Sequence, residues 1–437
     1  MWLIDTETLS LEYFLGKPPR YAILSHTWGP DEVTFADLHN HKNTKSDTKA
    51  GFHKIRLTCE QARVEGIRYA WVDTCCINKE SSAELSEAIN SMFKWYASAA
   101  ICYAYLDDFP QSNVTADFSA LTACRWFSRG WTLQELLAPR DLVFFAPHMG
   151  EWAEVGRKDT LARFLEQITR IPEDVLRQEK AVDGFSVAAR MSWAAGRQTT
   201  REEDIVYCLM GLFDVNMPLL YGEGAKAFIR LQEEIVRETR DDSLFAWCST
   251  EASAAKTPYR GLFASSPEEF TGSSDIKLDP IDGAEGTTSM MGNGRVSLSC
   301  SVRPFRDGIV IISLNCYSGE PFSTQGIYGV PTGNNTYLRS TPSKLAYGIT
   351  GAVKNITIEK HVLRTEANTA DNKVSRDDEI HLGILPRGFE LKKVHYKSAD
   401  RSTSNGSLTR VVPMRKVIGG KMAFEIEVET AQLTNIR

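Results

Sequence analysis

Tyr21-Ala-Ile-Leu-Ser-His-Thr-Trp-Gly-Pro30 decides how the first half of the chain is read. Tyr21 to Ser25 is a short apolar run, and His26 to Pro30 is a polar turn containing glycine and proline. A brief apolar run ending at such a turn predicts a buried strand. Beyond it, Ile55, Cys59 and Ala62 recur at helical spacing, and Gly66 stands where a helix end favours a left-handed residue. Ile67 to Val72 reads as the next strand, ending at Asp73. Ser81-Ser-Ala-Glu84 has capping-box spacing and leads a wide apolar stripe through Leu85, Ala88, Ile89, Met92, Trp95 and Tyr96. Ala99 to Leu106 is a further strand, ending at Asp107-Asp108. Trp131 to Ala138 is a short helix stopped by Pro139, and Leu142 to Ala146 is a strand again. Strands alternating with helices over short links predict a mainly parallel sheet, whose ligands sit beyond the carboxyl ends of its strands. The segments expected at that rim are Ser25–Gly29, Asp73–Lys79 and Asp107–Phe109.

Further along, residues 151–240 read as helical. Leu161, Phe164, Leu165 and Ile168 make one apolar face, Ile205, Cys208, Leu209 and Leu212 another, and Ala225, Phe228, Leu231 and Ile235 a third. From about residue 250, Gly, Ser, Thr and Asn rise and helical periodicity stops. Val296, Leu298 and Cys300 alternate with polar neighbours, Ile309 to Leu314 is β-branched, and Tyr347–Ile358, Glu379–Leu385 and Ala423–Val428 resemble further strands. The expected organisation is an α/β domain over 1–150, a helical extension over 151–245 and an all-β domain, sandwich or barrel, over 250–437.

The 437 residues are 42% hydrophobic and 24% charged, the composition of a globular protein, and too many for one ordinary core. A net charge of −6 weighs against a dedicated nucleic-acid binder. No run of about 18 apolar residues occurs, so no membrane span is expected. Met1-Trp-Leu-Ile-Asp-Thr-Glu7 has neither the basic start nor the apolar core of a secretion signal, which points to a cytoplasmic location. The nine cysteines include no Cys-x-x-Cys pair, so neither a disulfide framework nor a metal site is expected.

Four segments together resemble the fungal heterokaryon-incompatibility (HET) domain family. They are Tyr21–Gly29; Trp71-Val-Asp-Thr-Cys-Cys-Ile-Asn-Lys79; Arg125-Trp-Phe-Ser-Arg-Gly-Trp-Thr-Leu-Gln-Glu-Leu-Leu-Ala-Pro139; and Arg201–Gly211 with Tyr221-Gly-Glu-Gly224. The resemblance covers roughly residues 1–240. It implies a role in non-self recognition and regulated cell death, and leaves the reaction unspecified. The order of elements is also distantly similar to the Toll/interleukin-receptor (TIR) domain, a flavodoxin-like fold. In that domain a Trp-Cys-x-x-Glu-Leu-like helix follows the third strand, and here Trp131-Thr-Leu-Gln-Glu135-Leu136 stands in the corresponding place, with Thr132 for the usual cysteine. In the TIR enzymes that cleave NAD this glutamate is catalytic, so the resemblance implies hydrolysis at the nicotinamide–ribose bond through Glu135.

Such a reaction passes through an oxocarbenium-like transition state that one nearby carboxylate can stabilise. NAD would be a substrate; no prosthetic group and no metal are expected. Backbone amides of Ser25, His26, Thr27, Trp28 and Gly29 are expected near the pyrophosphate, and Trp28 or Trp131 against a ring. Arg125 and Arg129 are expected on phosphates, and Asp73 on the ligand or capping the turn it begins. The alternative is a non-catalytic module that assembles with copies of itself or with other incompatibility and signalling proteins. Cys75-Cys76 lacks a nearby histidine and reads as packing. Gly222-Glu-Gly224-Ala-Lys-Ala227 fits a nucleotide fingerprint, but Pro218 spoils the strand before it, so its glycines are expected to serve a turn and a helix start.

Overall fold

A computed structural model describes residues 1–39, 48–110, 118–278, 289–291, 295–319, 324–333, 335–347 and 352–359, together with three strands beyond residue 390. Tyr21–His26 (β3) is buried at every position and lies at the centre of a seven-stranded sheet. Its parallel neighbours are Tyr69–Trp71 (β4) on one side and Ile101–Tyr105 (β5) on the other, and β5 pairs in parallel with Leu142–His148 (β6). Three strands extend this core in antiparallel fashion: Trp2–Asp5 (β1) on β4, Leu11–Tyr13 (β2) on β1, and Glu151–Arg157 (β7) on β6. The order is β2-β1-β4-β3-β5-β6-β7. Its direction of growth reverses at β3, the place where an open sheet leaves a crevice at its rim.

The parallel strands are continuous apolar runs because helices cover the sheet. Phe35–His39 (α1) and Phe52–Val64 (α2) link β3 to β4, Ser82–Ser98 (α3) links β4 to β5, and Thr132–Leu137 (α4) precedes β6. Gly66, at φ +68°, turns the chain out of α2, and the Ser81 side chain accepts from Glu84 N at 3.3 Å to start α3. β7 corrects the expectation that the region from 151 is helical. Glu151–Arg157 has one buried residue and gains its order by pairing along β6 at the sheet edge, a signal that helical periodicity does not carry. β1 and β2 also lay outside the expected elements.

After β7 the chain is helical: Ala162–Thr169 (α5), Glu173–Leu176 (α6), Val187–Ser192 (α7), Asp204–Tyr207 (α8) and Lys226–Glu238 (α9). Strands then follow, among them Arg295–Pro304, Val310–Ser318, Thr324–Gly333 and Ala352–Glu359, in a nine-stranded sheet with antiparallel pairings. This agrees with the β-rich character expected there. A separate three-stranded sheet places Lys421–Gln432 between Leu391–Lys397, to which it is parallel, and Ser407–Ile418, to which it is antiparallel. The stretch Glu379–Leu385 lies outside the described residues. The chain divides into two compact units, residues 1–330 with 338–361, and residues 331–337 with 362–437. Among the described residues no helix is long and apolar enough to cross a membrane.

Candidate functional site

β3 ends at the rim between β4 and β5, and its last residues face opposite ways. Ser25 turns toward α4 and accepts from Trp126 Nε1 at 2.8 Å while its hydroxyl donates to Glu135 Oε2. Glu135 is 7% exposed. Burial pushes its carboxyl up to about 8; the Asp73 charge adds to that, while the hydroxyls of Ser25 and Tyr96 and the Arg129 charge pull against it. Tyr96, on α3, anchors its own hydroxyl on the Leu24 carbonyl at 2.9 Å. The result is a donor chain, Trp126 to Ser25 to Glu135, built to meet a carboxylate that its surroundings discourage from ionising.

His26 faces the other way. Its Nε2 lies 3.1 Å from Asp73 Oδ1 and its Nδ1 lies 2.9 Å from Lys54 Nζ, which also pairs with Glu32. Trp28 Nε1 donates to Asp73 Oδ2 at 2.8 Å, and Lys79 Nζ sits 3.6 Å from the centre of the Trp28 ring. Burial would raise the Asp73 carboxyl, but the His26 contact and charge, then Lys79 and Trp28, bring it to about 2. Thr27 Oγ1 donates to Asp107 Oδ1 at 2.9 Å. The structure therefore gathers Ser25, His26, Thr27, Trp28, Asp73 and Glu135 at one rim. Of these, Trp28 also walls a cleft of about 440 Å³, together with Phe35, His39, Thr74, Asn78 and Lys79. Trp28 is 48% exposed there, which leaves aromatic surface for a planar ligand.

The remaining expected residues are spent differently. Gly29 N donates to Glu32 Oε1 at 2.6 Å, so this amide already has an anion. Arg125 pairs with Asp107 at 2.7 Å and with Asp108 at 3.3 Å. Trp131 occupies the N-cap of α4 and lies beside Asp204. Arg129 is partly exposed and reaches Glu135 through its charge. The glycines of the fingerprint-like segment serve the chain itself: Glu203 accepts from Gly222 N at 2.8 Å and Gly224 N at 3.0 Å just ahead of α9. The protein's own carboxylate fills that nest. Cys75 and Cys76 are buried.

Several positioning groups had no readable signal. Arg197 is buried and donates to the carbonyls of Arg129, at 2.9 Å, and Trp193, at 3.2 Å, and to Thr132 Oγ1 at 3.1 Å, tying down the start of α4. Burial lowers it to about 10, although the Cys208 and Glu135 charges favour its protonated form. Lys158 donates to the Leu136 carbonyl at 3.2 Å and to that of Pro139, closing the other end of α4; burial lowers it to about 8. Trp126 was visible only as part of the motif Arg125–Pro139. Its role needed the Ser25 contact.

Asp73 is the electrostatic centre of the rim, which sets a measurable expectation. A carboxyl moved from 3.8 to about 2 on folding stabilises the protein by about 2 kcal/mol wherever both states are ionised. That contribution is present above pH 4 and disappears as pH falls through 2. Asp73→Asn should therefore melt about 4–8 °C below the native chain at pH 7 by circular dichroism, with the gap shrinking as the pH falls below 4. A gap that does not change with pH would mean that packing, not charge, is what Asp73 supplies.

Residues 21–122 match the family described as Heterokaryon incompatibility protein (HET). Residues 226–284 match a domain of unknown function (DUF8212). The Vegetative incompatibility protein HET-E-1 of Podospora anserina is 49% identical over 231 residues, which take in 51% of this chain and 16% of that relative. The chain thus corresponds to a minor part of the relative's length. No solved structure matches it.

Proposed function

We propose, from the premise that this chain carries a fungal heterokaryon-incompatibility domain, that it acts in vegetative incompatibility as an effector that hydrolyses NAD at its nicotinamide–ribose bond. The observation that carries the reading is Glu135: a carboxyl 7% exposed, pushed up to about 8, held by Ser25 beneath the rim of a parallel sheet. A buried carboxyl displaced this far from its ordinary value is a candidate for chemistry. The TIR-like order of elements supports the same assignment.

On this reading the nicotinamide ring brings a positive charge to Glu135 and favours its ionised form. The carboxylate then stabilises the ribose cation as nicotinamide departs neutral, and water completes the cleavage to ADP-ribose, nicotinamide and a proton. Trp28, with Lys79 on its ring, offers the cleft an aromatic wall for a base, and Arg129, whose charge reaches Glu135, offers a fork for a phosphate. The test is incubation of the purified chain with NAD and mass spectrometry of the products. Free nicotinamide with ADP-ribose is expected; intact NAD after prolonged incubation at micromolar enzyme removes the hydrolytic reading.

One observation favours a second reading, a non-catalytic module that assembles with copies of itself or with signalling partners. The Glu135 carboxyl is turned inward onto Ser25, and none of the described clefts is lined by it. That reading expects no turnover of NAD, concentration-dependent oligomers by light scattering, and undiminished killing by a Glu135→Ala variant in cells.

A further inference from the structure

A second cleft, of about 710 Å³, lies among α3, the end of α4, α6 and the segment 178–183 after it, α7, the turn at residues 211–214 and the end of α9. Its size is that of a small-molecule site. Phe93, Leu137 and Phe213 give it apolar walls. Arg190 also lines it, and is 7% exposed. The guanidinium spends Nη1 on the Leu212 carbonyl at 2.9 Å and lies 4.8 Å from the centre of the Phe213 ring. Its Nε is buried without a hydrogen-bond partner, and among the described residues no carboxylate forms an ion pair with it. Asp241 acts on it only through its charge, because the Asp241 carboxyl is occupied by Val187 N at 2.6 Å and Ser243 N at 2.9 Å. Thr239 Oγ1, in the same lining, is a second buried polar atom with no partner.

A buried cation without a paired anion is costly, and orphaned polar atoms around a cavity call for something that satisfies them. The rim has the opposite sign. Asp183, Asp214 and Glu238 line the mouth and are exposed, while Lys180 is already paired with Asp174 at 2.6 Å. A polyanion such as a nucleotide would meet three carboxylates on the way in. We propose that this cleft binds a small zwitterion with an apolar body, such as an aromatic amino acid. Its carboxylate sits on Arg190, its ammonium faces the acidic mouth, and its side chain lies against Phe93, Leu137 and Phe213. The site is separate from Glu135 and stands whether or not the chain cleaves NAD.

The test uses the full chain and three probes: L-phenylalanine, phenylacetate, which lacks the ammonium, and phenethylamine, which lacks the carboxylate. Titration calorimetry is expected to detect phenylalanine at up to millimolar concentration, with both truncated probes at least about tenfold weaker. Arg190→Met should abolish binding while melting no lower than the native chain, since it replaces an unpaired buried charge by an apolar side chain of similar length. Arg190→Lys keeps the charge without the fork, and should bind at least about tenfold more weakly even should the methionine variant fail to fold. No heat with phenylalanine, equal affinity for phenylacetate, or undiminished binding by either variant overturns the proposal.

Discussion

Glu135→Gln is expected to lose at least about a thousandfold in NAD cleavage and, at pH 8 and above, to melt higher than the native chain. The two effects share a cause. A carboxyl moved from 4.5 in the unfolded chain to about 8 in the folded one binds its proton more tightly when folded. Stability therefore falls as pH rises from about 4.5, and the loss is complete above 8. The shift corresponds to about 5 kcal/mol at its largest. Gln keeps the shape and can still accept from Ser25, but has no charge to lose, so it escapes this penalty and should gain on the order of 10 °C at pH 9. At pH 4 the two chains should melt together. Activity of the native chain should rise with pH toward 8 as the carboxylate forms. A glutamine variant that is inactive and also less stable at pH 9 would show that Glu135 is a packing residue. One that cleaves NAD at the native rate would remove the carboxylate from the reaction.

The parallel core was legible in the chain because its strands are buried on both faces. Tyr21–His26 and Ile101–Tyr105 need nothing but apolar residues, and their polar ends fall at the rim by the geometry of the fold. Glu151–Arg157 was not legible, since a half-exposed edge strand takes its order from a neighbour and leaves no periodicity of its own. The candidate site divides in the same way. His26, Trp28 and Asp73 were read as a group because strand ends converge. Arg125 was read as a phosphate ligand, yet Asp107 and Asp108 hold it. Arg197 and Arg190 come from the helical extension, where a basic residue amid apolar neighbours reads as surface until the packing shows it buried.

Gly211→Ala should be among the most damaging small substitutions in the chain. Gly211 lies in the 3-10 turn Met210–Leu212, which packs on α3. A Cβ built there would come within 2.2 Å of Phe93 Cβ and 2.7 Å of Phe93 Cγ. Phe93 Cβ is fixed to the helix backbone, so no rotamer of the ring relieves the contact; the turn and α3 must separate. Such overpacking costs about 3 kcal/mol, or roughly 6–12 °C in melting temperature. Gly66→Ala is the control. Gly66 has φ +68° and nothing within 4 Å, so alanine there meets only left-handed strain, about 1 kcal/mol. The consequence reaches the rim, because α3 carries Tyr96, whose hydroxyl is bound to Leu24 one residue before Ser25. Pushing α3 outward loosens the wall against which Glu135 is held, so Gly211→Ala should lower the midpoint of the pH-dependent stability loss as well as the melting temperature. Phe93→Ala cannot rescue it, since alanine keeps the offending Cβ. A melting temperature within 2 °C of native would show that the turn and α3 stand further apart than this.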